Sequence, residues 1–161
     1  MLLFAIDPGS SQSAYCMMTD DAHPMYFAKV PNADLIPLLR NYAHVIHTVV
    51  IERVASYGMP VGREVFDTCE WIGRYTQVAS DLGKPVEYIL RQEEKLAICH
   101  SPKANDATIR RALIDRFARH DLHNGRGTKK DPDFFYGFKA DVWSAFATGI
   151  SWLCKQGIVT M

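Results

Sequence analysis

Two apolar runs in this chain stop at a carboxylate, and a third carboxylate opens an amphipathic helix. Leu2-Leu3-Phe4-Ala5-Ile6 leads into Asp7-Pro8-Gly9-Ser10, Val49-Val50-Ile51 leads into Glu52, and Asp141 precedes Val142-Trp143-Ser144-Ala145-Phe146. Short apolar runs of this kind read as buried strands, so each acid sits at the rim of a core. A carboxylate there is costly unless something pairs with it. A shared divalent cation would do so, and three converging carboxylates are hard oxygen ligands of the kind Mg²⁺ takes. Singly, each acid has an ordinary explanation. Asp-Pro-Gly is good β-turn chemistry, Glu52 has Arg53 or Lys29 as possible ion-pair partners, and Asp141 complements a helix dipole. Three such sites in one order shift the balance towards a metal-dependent phosphoryl-transfer centre.

The elements follow from periodicity. Leu2–Ile6, Ser13–Thr19 and Met25–Val30 read as three strands whose short connections imply antiparallel pairing. A helix is predicted over Asn32–Tyr42, with Pro37 an awkward interior residue. His47–Ile51 reads as a buried strand. Val61–Leu82 reads as a long helix with a stripe of Val65, Cys69, Ile72, Thr76 and Ala79, and Gly73 within it suggests close approach to a neighbouring backbone. Val86–Leu90 is the fifth strand, Asn105–Arg119 a helix capped by Asn105, and Lys139–Lys155 the last helix. Between those two helices, His120–Gly137 reads as a mobile loop, and loops that long are usually functional or disordered. The expected architecture is α/β, a five-stranded mixed sheet with helices on both faces, in a single domain over residues 1–161.

Composition narrows the function classes. No apolar stretch is long enough to span a membrane. The N-terminus lacks the basic region and cleavage site of a signal peptide, and four widely spaced cysteines without a CxxC pair fit reduced thiols, so a cytoplasmic protein is expected. His120-x-x-His123 and Cys99-His100 do not supply four ligands, which argues against zinc. The net charge is +0, yet residues 91–139 hold eleven Lys/Arg against seven Asp/Glu. An acidic pocket beside a basic strip gives that average, and the strip is where phosphate contacts are expected.

The order of these features resembles the ribonuclease H fold: a first strand ending in Asp, a fourth ending in Glu, and a last helix starting with Asp. Asp7-Pro8-Gly9-Ser10, Ile51-Glu52 followed by a loop and a helix containing Gly73-Arg74, and the closing Asp141-x-x-Ser144-Ala145-x-Ala147 are similar to the RuvC family of Holliday junction resolvases. The stretch from Ile51-Glu52-Arg53 through Tyr57-Gly58-Met59-Pro60 to Gly62 looks closer to RuvC-like proteins of phages and prophages. Arg91-Gln92-Glu93-Glu94-Lys95 and Ser101-Pro102-Lys103-Ala104-Asn105-Asp106 fit that subgroup too. One position departs from the pattern. The family's closing helix commonly carries a second acid three residues after the first, and here that residue is Ser144. Either three carboxylates suffice or another acid enters, and Asp131 and Asp133 are the nearest in sequence.

The resemblance implies a Mg²⁺-dependent endonuclease, with Mn²⁺ as a substitute, acting on four-way or other branched DNA as a homodimer. Water would attack the phosphodiester in line, with two metals roughly 4 Å apart. Asp7 would bridge them, with Glu52 and Asp141 each supporting one side. Lys103, Arg110, Arg126, Lys129 and Lys130 are candidate phosphate contacts, and Tyr57 and Met59 a candidate wedge for unstacking bases. Other readings are a ribonuclease H-like nuclease acting on RNA or flaps, and a catalytically weakened branched-DNA-binding module. An actin-like sugar or ATP kinase also begins with a strand ending in Asp, but needs two duplicated domains, and 161 residues hold one.

Overall fold

A computed structural model describes all residues from Met1 to Met161. The elements run β1 (Leu2–Asp7), β2 (Gln12–Thr19), β3 (Pro24–Pro31), α1 (Asn32–Tyr42), β4 (Thr48–Arg53), α2 (Arg63–Asp81), β5 (Val86–Leu90), α3 (Arg91–Cys99), α4 (Asp106–Phe117) and α5 (Val142–Lys155). The five strands form one mixed sheet in the order β3-β2-β1-β4-β5. β2 is antiparallel to β1 and β3, while β4 is parallel to both β1 and β5.

Period-two alternation divides the inward residues between two cores, one on each face of the sheet. Phe4, Ile6, Tyr15, Met17, Val49 and Ile51 pack beneath α1 and α2. Leu3, Cys16, Met18 and Val50 pack on the opposite face, against α3, α4 and α5. The expected helices on both faces are therefore present. α5 is the central helix, and from Val142 to Leu153 every residue except Ser144 is buried. Gly149 lets it lie close to the sheet, because a Cβ there would collide with the Met18 sulfur and approach the Ala5 Cβ to 3.2 Å. No helix is long and apolar enough to cross a membrane, and all four cysteines are free.

Several expected details differ. The buried stripe of α2 is Thr68, Ile72, Tyr75 and Ala79, so Cys69 faces outward. Polar side chains can occupy that stripe because each is satisfied: Thr68 Oγ1 donates to the Glu64 carbonyl at 2.8 Å and Tyr75 Oη meets Ser13 Oγ at 3.0 Å. Gly73 faces open space, and the close-approach glycine is Gly149 instead. α2 begins at Arg63 after Gly62, and α5 begins at Val142. The segment between β5 and α4, which periodicity leaves without an element, is helix α3.

The 120–137 segment is not a slack tether. Asp133 accepts from the backbone N–H groups of Arg119, His120, Asp121 and Phe134. Asp121 accepts from those of His123, Asn124, Arg126 and Gly127. Phe135 and Phe138 anchor its far end in an aromatic cluster with Trp143 and Phe146.

Candidate active site

Sheet register sets the site. β1, β4 and β5 are parallel, so their C-terminal ends share one edge, the place where open α/β sheets bind ligands. Ile6 pairs with Ile51, which sets Asp7 and Glu52 at neighbouring positions on that edge. Glu52 in turn pairs with Ile89, so β5 ends alongside and α3 starts there without a linker. α5 crosses behind, and its first turn brings Asp141 to the same region. Ala140, just before it, has a left-handed backbone with φ 40°, which turns the loop into the helix.

The turn after Asp7 is fixed by a buried polar network. Ser13 Oγ donates to Asn32 Oδ1 at 2.7 Å, accepts from the Gly9 N–H at 3.2 Å, and meets Tyr75 Oη. Asn32 Nδ2 donates to the Gly9 carbonyl at 2.9 Å. Gly9 has to be glycine because a Cβ would collide with the Gln12 carbonyl oxygen. Three elements (β2, α1 and α2) thus hold the Asp7-Pro8-Gly9 backbone in place.

Four acids meet electrostatically at this edge. Burial, then repulsion from Glu52, Asp141 and Glu94, pushes the Asp7 carboxyl from its ordinary 3.8 up to about 8, against a smaller pull from Arg91. Burial also raises Glu52, while Arg91 and a hydrogen bond with Asp7 pull it back. Asp7 and Glu52 thus sit close enough for the ionisation of one to act on the other. Glu94, on α3, is pushed up to about 8 by burial and by Glu52, against Arg91 and the Thr148 hydroxyl. Its side chain is fully buried. Arg91 forks between Glu94 Oε1 and Asp106 Oδ1. Asp141 is half exposed and salt-bridged to Lys29 Nζ on β3 at 2.5 Å.

The donor set fits a divalent cation in its chemistry: oxygen ligands only, clustered, and short of positive charge. With the side chains as they stand, no three His, Cys, Asp or Glu residues converge on a single ligating point. Lys29 and Arg91 take up the carboxylates of Asp141 and Glu94 respectively. Of the ordinary explanations for Glu52, neither partner materialises, because Lys29 is on Asp141 and Arg53 lies over the Tyr88 ring at 5.1 Å.

A groove of about 530 Å³ opens beside the acids, lined among others by Arg91, Glu94, Arg110, Asp141, Trp143 and Ser144. Arg110 lies over the Trp143 ring at 4.5 Å and has Arg126 as a repelling neighbour. Lys103, Lys129 and Lys130 are exposed. None of these five cations is ion-paired with a carboxylate. On the other flank, Tyr57 and Met59 are 62% and 72% exposed at a tight turn in which Tyr57 and Gly58 both have positive φ.

Sequence reasoning missed Glu94 and Arg91 as site residues. The i, i+3 Arg-Glu pair directly after the last parallel strand was the available signal. Asp133 is not the additional acid: four backbone N–H groups outweigh its burial and hold it well below the usual carboxylate range. Asp131 pairs with His120 at 3.3 Å in the same loop.

No protein-family model matches the chain, and no curated protein does. Among solved structures, the chain is similar to Thermus thermophilus RuvC, with TM-score 0.67 and 14% identity over 99% of this chain and 99% of that one. It is also similar to T. thermophilus RuvC in complex with a Holliday junction substrate, with TM-score 0.69 and 15% identity over 99% and 97%. The fold is thus RuvC-like, of the ribonuclease H type.

Proposed function

We propose that this chain is a divalent-metal-dependent endonuclease that cuts branched DNA, four-way junctions foremost. The observation that carries the reading is the cluster of Asp7 and Glu52 on parallel strand ends with Glu94 of α3 and Asp141 before α5, with Arg91 the one cation that acts on all of the buried three. Its fold-level likeness to a resolvase solved with a Holliday junction supports the choice of substrate.

Bound Mg²⁺ or Mn²⁺ would supply a nucleophilic water and offset charge on the scissile phosphate. Asp7, acted on by Glu52 and by both helix acids, would be the shared ligand, and it would have to be ionised to serve. Asp141 must exchange Lys29 for the cation. The unpaired Lys103, Arg110, Arg126, Lys129 and Lys130 would hold flanking phosphates. Tyr57 and Met59, exposed beside the strand that carries Glu52, would enter the junction and unstack bases. A homodimer would present two such sites to opposite strands.

The test is cleavage of a synthetic four-way junction with Mg²⁺, compared with plain duplex, a flap and an RNA–DNA hybrid. Junction cutting that disappears in Asp7→Asn, with junction binding retained, supports the reading. Preference for the hybrid or the flap would replace it with the RNA or flap reading. Tight junction binding with no cutting under any divalent metal would leave a branched-DNA-binding module.

A further inference from the structure

α5 presents Asp141 and Ser144 to the groove, and Thr148 follows Ser144 by one turn on the same side of the helix, in the buried interior. Ser144 is the one residue from Val142 to Leu153 that is not buried, and it lines the groove together with Asp141 and Glu94. It brings only a hydroxyl. The Thr148 hydroxyl, one turn later, lies 3.0 Å from the Ser144 carbonyl and 3.3 Å from Glu94 Oε2, and its single hydrogen can go to either. Glu94 therefore reaches across from α3 to the same face of α5, next to the place a longer acid at 144 would occupy.

Glu94 is also held unlike a structural acid. It accepts no backbone N–H, and its partners are the Arg91 guanidinium and the Thr148 hydroxyl. Arg91 has a second carboxylate, Asp106, and keeps it if Glu94 turns away. A purely structural ion pair has no need of Asp7 and Glu52 as electrostatic neighbours, whereas Glu94 acts on Asp7 and is acted on by Glu52.

We propose that Glu94, delivered from α3, is the fourth acid of the metal site in place of a carboxylate at position 144, with Arg91 its stand-in counter-ion until a divalent cation binds. This rests on the metal-dependent reading above. The arginine occupies the position of a cation without being one that can be exchanged, so metal binding consists of Glu94 changing partner while Arg91 stays on Asp106.

The experiment measures Mn²⁺ binding to the full chain without DNA, by calorimetry and by electron paramagnetic resonance of free Mn²⁺. Glu94→Gln should weaken binding at least about tenfold, and adding Ser144→Asp to it should restore most of the affinity. Arg91→Met should tighten Mn²⁺ binding while lowering the thermal midpoint of the metal-free chain, a combination that loss of a structural pair does not produce. Wild-type affinity in Glu94→Gln overturns the proposal. So does a Glu94→Gln defect that Ser144→Asp leaves unrepaired in a protein with native circular dichroism. Asp7→Asn separates the two levels. If it abolishes Mn²⁺ binding while Glu94→Gln does not alter it, only the role of Glu94 falls. If the wild-type chain binds no Mn²⁺, the metal-dependent reading falls and takes this one with it.

Discussion

Asp133 and Glu94 are both acids with fully buried side chains, and the protein treats them in opposite ways. Asp133 is wrapped in backbone N–H donors from two stretches of its own loop, which hold it ionised. Glu94 and its neighbours Asp7 and Glu52 have one guanidinium acting on all three, and burial raises all three above the ordinary carboxylate range. The chain can satisfy a buried carboxylate with its own dipoles, and does so in the loop. At the strand ends it leaves the demand open. That contrast separates an acid that builds structure from the acids proposed above to take a metal.

The largest expected effect breaks the loop side. Asp133→Ala orphans four backbone N–H groups, at a cost of about 3 kcal/mol or more given the usual penalty for each buried unsatisfied donor. Asp7→Asn should do the reverse in metal-free protein at about pH 8, raising the thermal midpoint by removing a repelled carboxylate. Melting the two variants beside wild type checks both signs, and a destabilised Asp7→Asn would mean the strand-end acids are already satisfied.

Proton linkage sharpens the same contrast. Asp7 and Glu94 have ordinary values of 3.8 and 4.5 and are pushed up to about 8 when folded. Between about 4 and 8 the folded chain binds more protons than the unfolded one, so their contribution to stability falls as pH rises through that window. Asp133 has the opposite sign: its folded value lies below 3.8, and its contribution is lost only as pH falls below about 4. Metal-free protein should therefore be most stable in mild acid, and several millimolar Mg²⁺ should flatten the loss towards pH 8. Denaturant unfolding at about pH 5 and about pH 8, with and without Mg²⁺, measures it.

Smaller effects concern what each flank of the site offers DNA. The Asp133 loop holds Arg126, Lys129 and Lys130 on a folded platform. Neutralising all three should weaken junction binding and flatten its salt dependence by about one log–log unit for each phosphate left without its cation. An unchanged slope would detach the platform from the DNA. The Tyr57 turn lacks any such carboxylate and exposes its apolar side chains. Tyr57→Ala should slow cutting of an intact junction by roughly tenfold, or ~1.4 kcal/mol of barrier. It should spare a junction already unpaired at the scissile step, and equal slowing of both would make Tyr57 a packing residue.

Much of this was legible in the chain. Unbroken apolar runs in Leu2–Ile6 and His47–Ile51 mark the strands, short connections imply the antiparallel trio, and Asp7, Glu52 and Asp141 stand out as acids ending or opening apolar segments. α3 was not legible, because Arg91-Gln92-Glu93-Glu94-Lys95 is polar, shows no apolar period, and follows β5 with no linker. Of its residues only Glu94 and Ile98 are buried, and Glu94 goes inside through an ion pair with Arg91 of its own helix, which periodicity does not register. The α2 stripe was misphased for a related reason: Thr68 and Tyr75 go inside because their hydroxyls find partners, and Cys69 stays out. Ser144 raised the need for another acid, but proximity in sequence pointed to Asp131 and Asp133, and proximity in space to Glu94.

Gly149 lies eight residues beyond Asp141 on the same helix, about 12 Å along its axis at 1.5 Å per residue. The missing Cβ lets α5 rest against Met18 and Ala5. α5 is buried along its length, so a side chain at 149 would press on Met18 and Ala5 and shift the helix against the sheet, moving its first turn, with Asp141, relative to the strand ends. A screen for inactive variants should thus return Gly149→Val or Gly149→Leu, in which a contact with no polar atom sets where a carboxylate meets its partners.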